Sequence, residues 1–315
     1  IAAGQGGHVD GIRVQSAGGP EEDLRAPAVI LAAGGYAGNP GLFPRLTKGA
    51  PLVGPAAPTS DGSVILAGVE AGGRVHGGDL FLPTYGGTLQ PGSSWQTVEL
   101  DAWPALTPQA RPPWEIHVNR RGERFVAEDS PSVDVRETRL LEQPNLEFWI
   151  VYDDDIRARA PRLFPLWDEA ALDEAFATHP SFVKAASLAD LADAAGLGRG
   201  QLQHTVEAYN QAVRSGEDPL GRQHLPAPIT RPPFFAVRNH GTTLKSPAGL
   251  DVDLQLRVLG PGGPFGNMFA AGEVIGGSRL SGKSFVSGMS VTPALSFGRL
   301  AARQVAGLST DPGSM

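Results

Sequence analysis

The chain contains no cysteine. That excludes disulfides, thiol nucleophiles, zinc–thiolate and iron–sulfur ligation, and a flavin attached through sulfur. No apolar run approaches the roughly 20 residues of a membrane span. No His, Asp and Glu group has metal-ligand spacing, so no metal site is expected. Basic runs are absent and the net charge is −7, which makes nucleic acid and anionic membrane surfaces poor partners. The first residues, "IAAGQGGHVDG", show neither an initiator Met nor a charged, then apolar, leader. A cytoplasmic location is the expectation.

Glycine (41) and proline (28), by contrast, are abundant in the 315 residues. They follow no period, so they indicate many loops and not collagen or disorder. With 41% apolar residues the chain can bury the core of one large domain or two ordinary ones.

"HVDGIRVQS" alternates as a strand does, and "GGPEED" makes a turn. "APAVILAAGGYAGNP" is a short buried strand ending at Gly34 and Gly35. "PTSDGSVILAGVEAGGRV" reads as a helix capped by Thr59 or Asp61, with Val64, Ile65, Ala67, Gly68 and Val69 inside. "WEIHVNRRGERFVAED" reads as two strands around "RRGE", and "FWIVYDDDI" as a buried strand with an acidic cap. Two amphipathic helices follow, the first capped by Ser187. A proline-rich link leads back to strands, among them "NMFAAGE", and to a last helix, "TPALSFGRLAARQVAG". The pattern is α/β. Residues 1–78 and 240–315 read as one unit, interrupted by an α+β insertion over residues 79–239.

Three stretches invite a ligand. The strand ending at Gly34 and Gly35 leaves backbone that a ligand can approach. Glu273 stands where a second small-residue strand exits, and its carboxylate can accept hydrogen bonds from sugar-like hydroxyls. "SGMSVTPALSFG" then opens a helix whose free N–H groups and positive dipole end suit an electron-rich ring edge. Taken singly, each is also what an ordinary buried strand, a solvated loop carboxylate and a capped helix look like.

In this order the three resemble the fumarate reductase/succinate dehydrogenase flavoprotein family. The resemblance rests on "APAVILAAGGYAGNP", "TSDGSVILAGVEAGGRV", "VNRRGERFVAED", "LQHTVEAYNQAVRSGEDPLGR" and "MFAAGEVIGG" with "GRLAARQVAG", and covers nearly the whole chain. "LSGKSFVSGMSVTPALSFGRLA" is most similar to tricarballylate dehydrogenase-type members. "TPALSFG" is also similar to ketosteroid dehydrogenases, which carry Asn where Glu273 stands. The resemblance implies FAD as cofactor, an FAD-binding Rossmann-like domain and an inserted capping domain for substrate. It implies FAD contacts at Ala33, Gly34, Gly35, Asp61, Gly62, Glu273, Ser290 and Val291. The family's opening strand–GxGxxG–helix unit, which holds the FAD pyrophosphate, is not recognisable. An N-terminally incomplete flavoprotein that binds FAD poorly as it stands is therefore expected.

The activity implied is hydride transfer between flavin N5 and a CH–CH or C=C bond beside a carboxylate or enone, with a separate electron donor or acceptor. Such chemistry needs cations to polarise the substrate and an acid or base to move a proton. The resemblance assigns the proton role to Arg136, with Arg139 second, and substrate binding to His240. Arg136 would shuttle only with carboxylates beside it; Glu128, Asp134 and Glu137 are near in sequence. Arg279 or Lys283 would clamp a carboxylate. Leu82 stands in "FLPT" where fumarate and succinate enzymes carry a His, and their Thr–Glu pair finds only loose candidates in Thr97 and Glu99. A bulkier or less charged substrate is expected. A ketosteroid-type dehydrogenase using Tyr85 and an inactive binding module are the alternatives.

Overall fold

The computed structural model describes residues 1–3, 7–53, 57–88, 106–284 and 286–307. The chain divides into two units. One comprises Ile1–Leu52, Ala56–Leu82 and Leu244–Met315, the other Val53–Pro55 and Pro83–Thr243.

The first unit opens with β1 (Ala2–Ala3), β2 (Val9–Gln15) and β3 (Glu21–Arg25), an antiparallel meander. The β3 residues are exposed along their whole length, as their charges require. β4 (Val29–Leu31), α1 (Phe43–Leu46), α2 (Ser63–Glu70) and β5 (Val75–His76) follow. In α2 only Ile65 and Gly68 are buried; Leu66 and Val69 are more than 40% exposed. The buried stripe is narrower than the sequence suggests. Gly68 is needed because a Cβ there would lie 2.7 Å from Leu250.

The second unit is built on β6 (Ile116–Val118), α3 (Val133–Leu141), β7 (Glu147–Asp153), α4 (Asp154–Arg159), α5 (Glu169–Thr178), β8 (Phe182–Ala185), α6 (Leu188–Ala195), α7 (Arg199–Ser215) and β9 (Phe234–His240). Its strands form one antiparallel sheet in the order β6-β7-β9-β8. Every residue of β7 is buried. Phe148, Ile150 and Val151 are fully enclosed, each worth about 1.5–3 kcal/mol of hydrophobic burial. Asp153 ends the strand by accepting the Ile156 N–H at 2.9 Å, which caps α4. Ser187 caps α6 through the Asp190 N–H, and α7 buries Leu202, Val206 and Tyr209.

The chain returns to the first unit with β10 (Gly249–Leu250), β11 (Arg257–Gly260), β12 (Gly263–Ala270) and α8 (Val291–Val305). β10 pairs with β5, and β12 lies between β11 and β4. The β12–β4 pair is parallel, with Met268 opposite Val29 and Ala270 opposite Leu31. Both strands therefore end at the same edge. Among the described residues, no helix is long and apolar enough to cross a membrane.

Candidate functional site

The shared exit of β4 and β12 places the glycine-rich segment after Leu31 beside the segment after Ala270. Gly34 and Gly272 have φ of 86° and 81°, and a Cβ on either would meet nothing within 4 Å. Their backbone is left-handed and open on one side, which glycine adopts without strain. Gly35 is the reverse case. A Cβ there would lie 2.5 Å from Glu273 Oε1 and nearer still to Ser246 Oγ. Gly35 is glycine because two polar side chains of other segments rest on it.

Those side chains are themselves fixed. Glu273 Oε1 accepts the Ser246 N–H at 2.6 Å, and Ser246 Oγ accepts the Tyr36 N–H at 2.7 Å. The Tyr36 hydroxyl accepts the Ala248 N–H, and burial raises its pKa. The Gly62 N–H donates to Gly35 O at 3.0 Å, which draws the start of α2 to the same edge. Glu273, Gly272 and Ser290 share a cavity of about 190 Å³ with Lys245, Arg279 and Phe297.

A sequence profile described as an FAD binding domain matches residues 2–284. The chain belongs to this FAD binding domain family. It is similar to the NADH:acrylate oxidoreductase of Vibrio harveyi, 25% identical over 307 residues, covering 96% of this chain and 29% of that protein. It is 26% identical over 293 residues to the fumarate reductase (cytochrome) of Shewanella frigidimarina, covering 90% of this chain and 46% of that one. The chain thus spans between a quarter and a half of these relatives. Its fold matches the crystal structure of 3-ketosteroid delta1-dehydrogenase from Sterolibacterium denitrificans with a TM-score of 0.74 at 23% identity, covering 98% of this chain and 58% of that one.

The residues of this FAD binding domain fit the ring and ribityl end of the cofactor. Open backbone at Gly34 and Gly272, a carboxylate with one oxygen anchored and a cavity reaching the start of α8 are what such a ligand needs. Ala33 belongs to the same exit segment. The Asp61 carboxylate accepts the Ser63 N–H at 2.9 Å, which holds its pKa down, at the start of α2. Val291 is the first residue of α8 and is 66% exposed. The tip of α8 offers fewer donors than its sequence promises. Thr292 N donates to Gly288 O, and Pro293 has no N–H.

The cation candidates separate. Arg279 lines the cavity, but its guanidinium binds Asp251 Oδ1 and Val252 O, both at 2.6 Å. Lys283 is exposed and does not line the cavity. Sequence reasoning missed Ser246 and Lys245, which lie in a stretch without a recognisable motif.

Arg136 sits in α3 of the second unit and is 3% exposed. Its Nη1 donates to Leu106 O at 2.8 Å and its guanidinium lies 5.3 Å over the Tyr85 ring. Nε has no hydrogen-bond partner among the described residues. Burial pulls the Arg136 pKa below its ordinary value, with Tyr85 and Glu137 opposing. Of the carboxylates near it in sequence, Glu128 is engaged elsewhere, by Arg124 and Arg222. Arg139 is exposed and pairs with Glu142. His240 ends β9, buried, with Nε2 3.6 Å from Glu147 Oε2 and no partner on Nδ1 among the described residues. Tyr85 is buried, and its hydroxyl shares a 2.8 Å hydrogen bond with His117 Nδ1. Thr97 and Glu99 lie outside the described residues.

Proposed function

We propose that the protein is an FAD-dependent oxidoreductase that moves a hydride between the flavin and a CH–CH or C=C bond of a carboxylate-bearing substrate. One observation carries the reading: two parallel strands deliver Gly34, Gly35 and Glu273 to one edge, and Glu273 lines a cavity that also reaches the start of α8. When bound, FAD supplies the two-electron, hydride-exchanging ring. Residues 1–78 and 240–315 serve as its binding half and residues 79–239 as the capping half.

In this reading Gly34 and Gly272 let the ligand approach bare backbone. Glu273 presents its second oxygen to a ribityl hydroxyl while Ser246 holds the first. Ser290 contributes at the helix start. Arg136 moves the proton. It is a buried guanidinium whose Nε has no partner among the described residues, and a cation in that state favours an anion or a proton acceptor at its open donor. His240 binds a substrate carboxylate or carbonyl through Nδ1. Arg279 orients the cavity wall through Asp251, and the exposed Lys283 is a second cation for the substrate. Leu82 supports a substrate less charged than succinate. The ketosteroid-type reading needs a free Tyr85 hydroxyl, and that hydroxyl already bonds His117.

The test is anaerobic. Flavin-loaded protein is reduced and mixed with a panel of enoates and enones, and the return of oxidised flavin absorbance is timed. Reoxidation by an enoate, abolished in Arg136→Ala with flavin retained, is the expected result. No reoxidation by any member of the panel, or full rates in Arg136→Ala, rejects the assignment.

A further inference from the structure

The cavity contains a cation that the sequence motifs did not single out. Lys245 lies on its wall with Glu273 and Ser290. It makes no hydrogen bond or ion pair among the described residues, whereas Arg279 on the same wall is matched by Asp251. Lys245 is nevertheless held. The neighbouring Ser246 is fully buried, its N–H donates to Glu273 Oε1, and its carbonyl accepts the Gly277 N–H at 2.8 Å. A Cβ on Gly277 would come 3.1 Å from Lys245 Cδ and 3.4 Å from its Cβ, so the lysine stem lies along bare glycine backbone. A stem packed this way leaves the ammonium at the cavity while its methylenes are covered.

The tip of α8 offers few free N–H donors here. Thr292 N is already bonded and Pro293 has no N–H, so two of its usual donors are missing. On the reading that the ligand is FAD, we infer that Lys245 is the residue that stabilises negative charge on the bound ring, and so favours the reduced cofactor over the oxidised one. Two electrons and one proton added to the ring leave it with one negative charge, concentrated at its N1–C2=O edge. An unpaired ammonium in a partly enclosed cavity is attracted to that charge far more than to the neutral ring.

The experiment compares Lys245→Met, which keeps the stem and loses the charge, with Lys245→Arg, which keeps the charge. Midpoint potentials are measured by dye equilibration in saturating FAD, and FAD dissociation constants are measured for both redox forms. Lys245→Met is expected to shift the balance about tenfold toward oxidised flavin, about 30 mV for a two-electron couple. Lys245→Arg is expected to stay near the parent. An unchanged potential in Lys245→Met overturns the inference, as does equal weakening of both redox forms. So does an unchanged potential with weaker enoate binding, which makes Lys245 a substrate clamp. A parent protein that takes up no FAD defeats the flavin reading itself, a separate result.

Discussion

The two units treat charge in opposite ways. In the cavity of the first, Lys245 has no partner among the described residues and Glu273 has one oxygen engaged by a backbone N–H. In the second, Glu128 is fully buried and receives Arg124 at 2.6 Å and Arg222 at 3.2 Å. Arg124 also binds Asp218 at 2.5 Å. Arg222 is enclosed by His224 O, Glu115 O and Pro113 O as well, and both arginines lie over the Tyr209 ring. Arg111 and Glu115 form a further buried pair. Burial alone would raise the Glu128 pKa; the two guanidinium groups outweigh it and bring it to about 2. The difference separates architecture from ligand binding. Buried charges that satisfy one another pin the 111–128 segment to the 218–224 loop, and charges left open on a cavity wall await something else.

Three substitutions sharpen or break that contrast. The largest effect is expected from Arg222→Met, which leaves Glu128 buried with Arg124 as its remaining guanidinium partner and frees three carbonyls. It should cost about 3–5 kcal/mol of unfolding free energy in urea, the range for breaking a buried pair. A loss below 1 kcal/mol, on the order of an exposed pair, would show the network to be ornamental.

His117 comes next. It is fully buried among Glu128, Glu115, Arg222 and Arg136, and burial drops its pKa from 6.5 to about 4. The unfolded imidazole takes a proton near pH 6.5 while the folded one resists. Stability is therefore complete above pH 6.5 and falls as the pH drops toward 4, by on the order of 3 kcal/mol. His117→Gln should flatten that slope, read from urea midpoints at pH 7 and pH 4.5; an undiminished slope would move the titration to another group. The smallest change is Glu273→Gln. It should weaken FAD retention about tenfold, one charge-assisted hydrogen bond, while the thermal midpoint without flavin stays put. Equal flavin content would remove Glu273 from the site.

Much of this was legible in local sequence. The run ending at Asp153 announces a buried strand and its cap, Ser187 announces α6, and the glycines after Leu31 announce the end of β4. What was not legible involves partners far apart in the chain. The segment after "RRGE" reads as a strand, yet only Val118 and Arg124 form a bridge. Arg124 and Glu128 turn into the charge network, whose other members lie 94 residues away. Ser246 meets Tyr36 across 210 residues, and no periodicity encodes that meeting. The paired state of Arg279 depends on Asp251, 28 residues earlier, so an open cation and a neutralised one look alike in the sequence.

The enclosure of Arg222 has an evolutionary corollary. Its planar fork touches two sequence-distant carbonyls and one acid at once, a geometry lysine cannot reproduce. Positions 128 and 222 are therefore not free to drift one at a time. Losing the acid or the guanidinium alone leaves a buried charge short of a partner, a costlier change than replacing both with apolar groups.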